Sequence, residues 1–385
     1  MIRELYIACA GAGKSTKLVE EALKLSDSAV PSLIVTYTEN NQAELKRKII
    51  SKRGTIPENI EVKGWFSFLL EDLIRPYQKC VLPNRVSQLN FNQEGDPHTR
   101  DGRSIPGTGE RRDFVRHFTT SEGTRAHSTY ISKLSMRIAA KTKGASFNRL
   151  ARMHGAVFFD EVQDLVGWDY EVMSGLSQSD LGALYALGDF RQTVYQTHAG
   201  AKRPVLANEK RKKFESMGFK SIPMSGSWRC VQSICEFSDH VHHGEGYEPT
   251  QSRVDKRALA PDAHTGVFAV SRSHAAQYIA RVKPVILRHN KTVERGLCEG
   301  SQAINFGGAK GLEFDHVMII PTSAQKQFLL GNRRPLESGK TEQAKNLFYV
   351  ALTRGRFSTA ILLDEEPSFK EVQLYGATQL GLFID

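Results

Sequence analysis

Lys14 and Ser15 close a run of small residues, Ala8-Cys9-Ala10-Gly11-Ala12-Gly13, that follows the short apolar run Leu5-Tyr6-Ile7-Ala8. Small residues let the chain turn tightly and wrap its backbone N–H groups around phosphate oxygens. A helix that starts there adds a dipole favourable to an anion. Lys14 would then reach the β- and γ-phosphates of a nucleotide, and the Ser15 hydroxyl would ligate Mg2+. Ala10, Gly11, Ala12, Gly13 and Thr16 complete the candidate nucleotide loop, with Ala8 where the general pattern has its first glycine. A second group, Asp160-Glu161-Val162-Gln163-Asp164, follows the apolar run Ala156-Val157-Phe158-Phe159. Carboxylates at the C-terminal end of a parallel strand face the ligand crevice. Asp160 would hold the hydrated metal, and Glu161 would orient and deprotonate the attacking water.

These groups need a scaffold that brings strand ends together. Helical spacing over Lys17 to Leu25, a β-branched run over Ser32 to Thr36 and a polar helix from about Asn41 to Ile50 alternate strand with helix. That alternation predicts a parallel sheet covered by helices. Residues 84 to 125 crowd turn formers and Arg100, Arg103, Arg111, Arg112 and Arg116, and read as an inserted, loop-rich subdomain with scattered charge. Helical periodicity returns at Ile131, Leu134 and Ile138, and a strand is predicted at Leu184 to Leu187. A second α/β block begins near Ile222, with apolar runs at Val267 to Val270, Val285 to Leu287, Val317 to Ile320 and Ala360 to Leu363.

The chain has 385 residues, 52 Lys+Arg and 42 Asp+Glu, a net charge of +10 that is compatible with a polyanionic partner. Its 40% hydrophobic content excludes whole-chain disorder, and no apolar run is long enough to span a membrane. The N-terminus has no secretory pattern, and five scattered cysteines fit reduced thiols, so a cytoplasmic protein is expected. Lys210 to Lys213 and His240 to His243 read as solvated runs, and Cys230 and Cys235 as small buried hydrophobes.

Asp-Glu-x-Gln-Asp after a strand resembles motif II of superfamily 1 helicases of the UvrD/Rep/PcrA type. Most of the other motifs of that family follow in order from Ala8 to about Arg356, nearly the whole chain. Thr36-Tyr37-Thr38 resembles motif Ia, and Gly64-Trp65-Phe66-Ser67-Phe68 resembles motif Ib. By this resemblance Thr36, Tyr37, Thr38, Trp65 and Phe66 line a groove for single-stranded DNA, where aromatics stack on bases. Glu39 stands where the family has Asn, and Phe68 to Leu70 read as helix core. Gly188-Asp189-Phe190-Arg191-Gln192-Thr193-Val194-Tyr195 resembles motif III, which implies a γ-phosphate contact for Gln192 and a DNA contact for Tyr195. Thr197 replaces the family's stacking aromatic. Gly226-Ser227-Trp228-Arg229 resembles motif IV. Trp228 would stack on adenine or else be a core aromatic, and Arg229 would touch the γ-phosphate. Asn305 to Asp315, with Lys310-Gly311-Leu312-Glu313-Phe314 intact, resembles motif V, which puts Asn305 at a DNA phosphate and Glu313 at the ribose. Tyr349-Val350-Ala351-Leu352-Thr353-Arg354 resembles motif VI, with Arg354 as arginine finger.

The resemblance implies an α/β fold of two RecA-like domains with a small inserted subdomain. Domain 1A would comprise 1–77 plus 151–221, a reduced 1B insertion 78–150, and domain 2A 222–385 without the 2B insertion. It implies an ATP- and Mg2+-dependent hydrolase that couples turnover to 3′-to-5′ movement on single-stranded DNA. The alternative is an ATP-gated regulatory or DNA-sensing subunit of a multi-protein complex, such as an anti-phage assembly with a nuclease partner, without processive unwinding.

Overall fold

Twelve strands, the central ones continuous apolar runs such as Leu33–Val35, Ala156–Phe159 and Val267–Val270, build two parallel sheets in the computed structural model. It describes residues 1–91, 96–101, 103–193, 204, 206–255, 264–337 and 342–376. The described residues divide into two units. One is drawn from 1–6, 14–188 and 196–222, the other from 7–13, 189–195 and 223–385.

The first sheet comprises β1 (Ile2–Ala8), β2 (Ser32–Thr36), β3 (Ile60–Gly64), β4 (Ala156–Phe159), β5 (Ala183–Gly188) and β6 (Lys220–Met224), in the order β6-β1-β5-β4-β2-β3. β2 pairs in parallel with β3 and β4, and β4 with β5. Every residue of β2, β4 and β5 is buried, as expected of strands covered on both faces. Helix α1 (Lys14–Asp27) buries Leu18, Val19, Ala22 and Leu23, one stripe of an amphipathic helix. Helix α2 (Glu39–Arg53) is capped by Thr38, whose Oγ1 accepts from the Asn41 N–H, and ends at Gly54, whose φ of +83° suits glycine.

Between β3 and β4 the described residues of the stretch 84–125 form only short strands and one five-residue helix, Phe114–Phe118. Gln88–Asn90 pairs in parallel with Arg125–His127, and Thr99–Arg100 forms a hairpin with Arg103–Ser104. The sequence reading of scattered charge misses its core. His98, His117 and His127 are each under 10% exposed. The His98 ring stacks on His117 at 4.9 Å and on Tyr130 at 5.2 Å. The helix Ile131–Lys141 buries Ile131, Leu134 and Ile138, the periodicity expected of it.

The second sheet comprises β7 (Gly266–Val270), β8 (Val285–Arg288), β9 (Ala303–Asn305), β10 (Phe314–Ile319), β11 (Gly355–Leu362) and β12 (Val372–Leu374). Its order is β9-β8-β10-β11-β7-β12, with every pairing parallel. Side chains alternate between faces. Val267, Ala269, Leu287, Val317 and Ile319 pack with Ile234, Phe237 and Phe348, while Phe268, Val270, Ile286, Met318 and Leu362 pack with Ala275 and Tyr278. This is the α/β architecture of two helix-flanked parallel sheets expected from the sequence. Among the described residues no helix is long and apolar enough to cross a membrane.

Candidate functional site

The phosphate-loop candidate begins where β1 ends. Ala8 lies in the strand, outside the left-handed region, so it needs no glycine there. The Ala12 N–H donates to the Cys9 carbonyl at 3.2 Å, Gly11 and Gly13 take φ of +72° and +76°, and α1 starts at Lys14. Residues 7–13 group with the second unit, and the contacts inside that unit are specific. The Ala10 N–H donates to the Tyr349 hydroxyl at 3.1 Å, Ser227 Oγ donates to the Ala10 carbonyl at 2.8 Å, and the Trp228 N–H donates to the Gly11 carbonyl at 2.9 Å. A Cβ on Gly11 would come 2.5 Å from the Arg229 Cβ. Two constraints therefore require glycine there, the positive φ and the close approach.

In the first unit β4 delivers the carboxylates. The buried Asp160 holds its N–H on the Val35 carbonyl at 2.9 Å. Glu161 turns into the left-handed region, φ +55°, with its N–H on Asp160 Oδ1 at 3.0 Å. Such a conformation in a non-glycine residue costs free energy and is common at functional sites. Lys14 Nζ stands 3.6 Å from Glu161 Oε1, and Gln163 Nε2 donates to Glu161 Oε2. Burial first, then the neighbouring Glu161 charge, pushes Asp160 up to about 7, with Lys14 opposing. A buried carboxylate so disfavoured as an anion suits a divalent cation. Mg2+ commonly takes one or two protein oxygens and completes its shell with phosphate and water. Asp160 carries such an oxygen, and Ser15 at the start of α1 is the second residue the sequence reading assigned to the metal.

The second unit holds the other candidates, and Asp189 within it is fully buried. It accepts from Gln192 Nε2 at 2.8 Å and from the Tyr349 hydroxyl at 3.3 Å. Arg191, whose role the sequence left unread, pairs with Asp189 at 3.3 Å and Asp239 at 3.0 Å. Its guanidinium lies between the rings of Tyr247 and Tyr349, 4.9 and 4.7 Å from their centroids. Arg229 Nε donates to Glu313 Oε2 at 3.0 Å. Arg354 is turned inward: its Nε donates to the Val350 carbonyl at 2.9 Å and its Nη1 to Leu312 at 3.0 Å. Burial, then Arg229, lowers its pKa to about 10. Trp228 is 69% exposed, so it is not a core aromatic, and its indole edge lies beside Gly13.

The nucleic-acid candidates separate. Trp65 is a correction. It is 2% exposed and packs on Phe68 and Phe159 at 5.7 and 5.8 Å, so its faces are not available to a base. Thr36 is also buried, its hydroxyl without a partner, and Thr38 is spent as the cap of α2. Tyr37 and Phe66 are half-buried and meet edge to face at 5.7 Å. Phe66 meets Phe91, which no motif marked, at 5.2 Å. Asn305 is exposed at the end of β9, and Tyr195 lies outside the described residues. Two runs read as solvated are corrected as well. Lys210 is fully buried and donates to the Gln163 carbonyl at 2.6 Å, and His242 is buried against Glu245 at 2.9 Å. Cys230 and Cys235 are buried, as expected.

No family model and no curated protein matches the sequence. Among solved structures the chain is similar to an arterivirus nonstructural protein 10 (helicase), with a TM-score of 0.44 and 14% identity, over 94% of this chain and 59% of that one. It is similar to the same arterivirus helicase in complex with DNA, with a TM-score of 0.45 and 15% identity, over 98% and 63%. The chain thus spans about three fifths of the length of these structures.

Proposed function

We propose that this chain is an ATP hydrolase of the UvrD-like type that uses turnover to move on single-stranded DNA, 3′ to 5′. The observation that carries the reading is the group in the first unit, where Lys14 at the start of α1 stands 3.6 Å from Glu161 beside the buried Asp160. Residues Ala10 to Thr16 would cradle the phosphates and Lys14 would neutralise them. Ser15 and Asp160 would hold Mg2+, which when bound offsets charge on the phosphate oxygens. Glu161, held by Gln163, would orient water and take its proton. Gln192 would sense the γ-phosphate. Arg229 and Arg354 would supply guanidinium charge in the transition state, the latter after leaving its carbonyl partners. Trp228 and Glu313 would contact the adenosine. Tyr37, Phe66 and Asn305 would meet the strand, with Thr36 and Thr38 fixing the backbone beneath. In this reading 1–77 with 151–221 is domain 1A, 78–150 a reduced 1B, and 222–385 domain 2A in a cytoplasmic protein.

A second reading, an ATP-gated subunit that switches a partner such as a nuclease, draws support from Trp65. Its burial removes one stacking surface from the strand groove. Hydrolysis by the purified chain, with and without single-stranded DNA and beside Glu161→Gln, tests both. We expect stimulation by DNA and a loss of about 10²- to 10⁴-fold in the variant. Turnover indifferent to DNA would favour the switch, and turnover unaffected by Glu161→Gln would reject the assigned base.

A further inference from the structure

Phe91 is the one phenylalanine left exposed among the described residues, at 60%. It ends a chain of rings. Tyr37, just past β2, meets Phe66, just past β3, and Phe66 meets Phe91 at 5.2 Å with the planes 87° apart. The first two rings stand at the C-terminal ends of parallel strands, where such sheets bind ligands. The third comes from the insertion, directly after the strand Gln88–Asn90. That strand is anchored by its pairing with Arg125–His127 and by Arg75, which donates to the Ser87 carbonyl. Phe66 is half-buried, whereas Phe91 keeps 60% of its surface exposed.

The surroundings are strongly basic. Residues 78–150 carry thirteen Lys and Arg against six Asp and Glu, +7 of the chain's +10. Arg85, Arg100, Arg103, Arg111, Arg112 and Arg116 are exposed there and make no ion pair with a described residue. Asn90 beside Phe91 approaches His127 at 3.5 Å, His127 meets His98 at 5.5 Å, and His98 opens the hairpin that carries Arg100 and Arg103. The exposed ring and the guanidinium groups of Arg100 and Arg103 therefore issue from one small knot of structure. Guanidinium forks match phosphate oxygens, and an open aromatic face matches an unstacked base. A duplex offers no free base face, and an apolar protein surface would leave the arginines unanswered.

We propose that Phe91 is a base-stacking residue, by which the insertion grips single-stranded nucleic acid alongside its arginines. The proposal rests on the reading that the chain binds such a strand. Affinity of the full-length chain is measured by fluorescence anisotropy for labelled oligo-dT and for an abasic strand of the same length. Phe91→Ala is expected to weaken oligo-dT binding by about 5- to 150-fold, the range for one lost stack. Binding to the abasic strand should stay within about twofold by the same logic, since that strand has no base to lose. Phe91→Trp is expected to restore oligo-dT affinity, and a thermal melt confirms that each variant is folded. Equal losses for both strands, or no loss for either, overturns the stacking role while leaving strand binding intact. Failure of the unaltered chain to bind either strand overturns the nucleic-acid reading itself.

Discussion

Arg191 shows what one buried residue contributes that no short motif reveals. Asp189 is its neighbour in the chain, but Asp239 and the rings of Tyr247 and Tyr349 come from distant stretches. Lys14 and Glu161 are legible because each sits in a short run whose residue types report the chemistry. Arg191 is not, because its environment is assembled only by folding. Removing it leaves the fully buried Asp189 carboxylate without its counter-charge. Breaking one partner of a buried pair costs about 3–5 kcal/mol. Arg191→Met is therefore expected to lower unfolding stability by that order, read as a fall in urea midpoint. A fall worth under about 1 kcal/mol would mean that the remaining donors, Gln192, Tyr349 and the N–H of residue 191 among them, satisfy Asp189.

Strands were easy to read and the insertion was not, for one physical reason. A strand covered on both faces is a continuous apolar run, as in Ala156–Phe159, and composition exposes it. The insertion builds its core from imidazole rings, which hydrophobic periodicity ignores. His117 donates from Nδ1 to the Thr108 carbonyl at 2.9 Å, which leaves Nε2 to accept from Lys133 Nζ at 3.2 Å. Protonation would set an N–H against that ammonium. Burial is the main cause that holds His117 and His127 below the usual imidazole value; Lys133 and His98 add to it for His117, and His98 and His117 for His127, while the hydrogen bonds to the Thr108 and Thr119 backbone, and then Glu110 and Asp96, oppose. The unfolded chain then binds more protons than the folded one between the two values. The stabilisation is present above the ordinary pKa of about 6.5 and is lost as pH falls through the lowered folded values. Amide exchange at Gln88–Asn90 and Arg125–His127, corrected for its intrinsic pH dependence, is expected to speed up from pH 7.5 to pH 5. Strands β4 and β5 serve as the reference, and acceleration equal to theirs would rule out a local effect.

Across the whole molecule, the strand–helix alternation and the second set of apolar runs beyond Ile222 foreshadow two sheets, as the helicase resemblance implies. The placing of residues 7–13 with the second unit is not foreshadowed. Residues 7–13 join the second unit through contacts such as Ala10 with Tyr349 and Gly11 with Trp228, whose partners lie far along the chain. Charge is unevenly shared in the same way. The insertion holds +7, which leaves +3 for all other residues. Strand binding should then depend on salt chiefly through the insertion. Each phosphate neutralised on a single strand contributes about −0.7 to the slope of log affinity against log salt. Four such contacts would reduce affinity about fifty-fold between 50 and 200 mM salt. Replacing Arg100, Arg103, Arg111 and Arg112 together by serine is expected to flatten that slope, by up to about 0.7 for each contact removed. The same measurement with Lys46, Lys48 and Lys52 on helix α2 replaced should leave it unchanged. A slope that drops equally in both variants would make net charge, not the insertion, the determinant of binding.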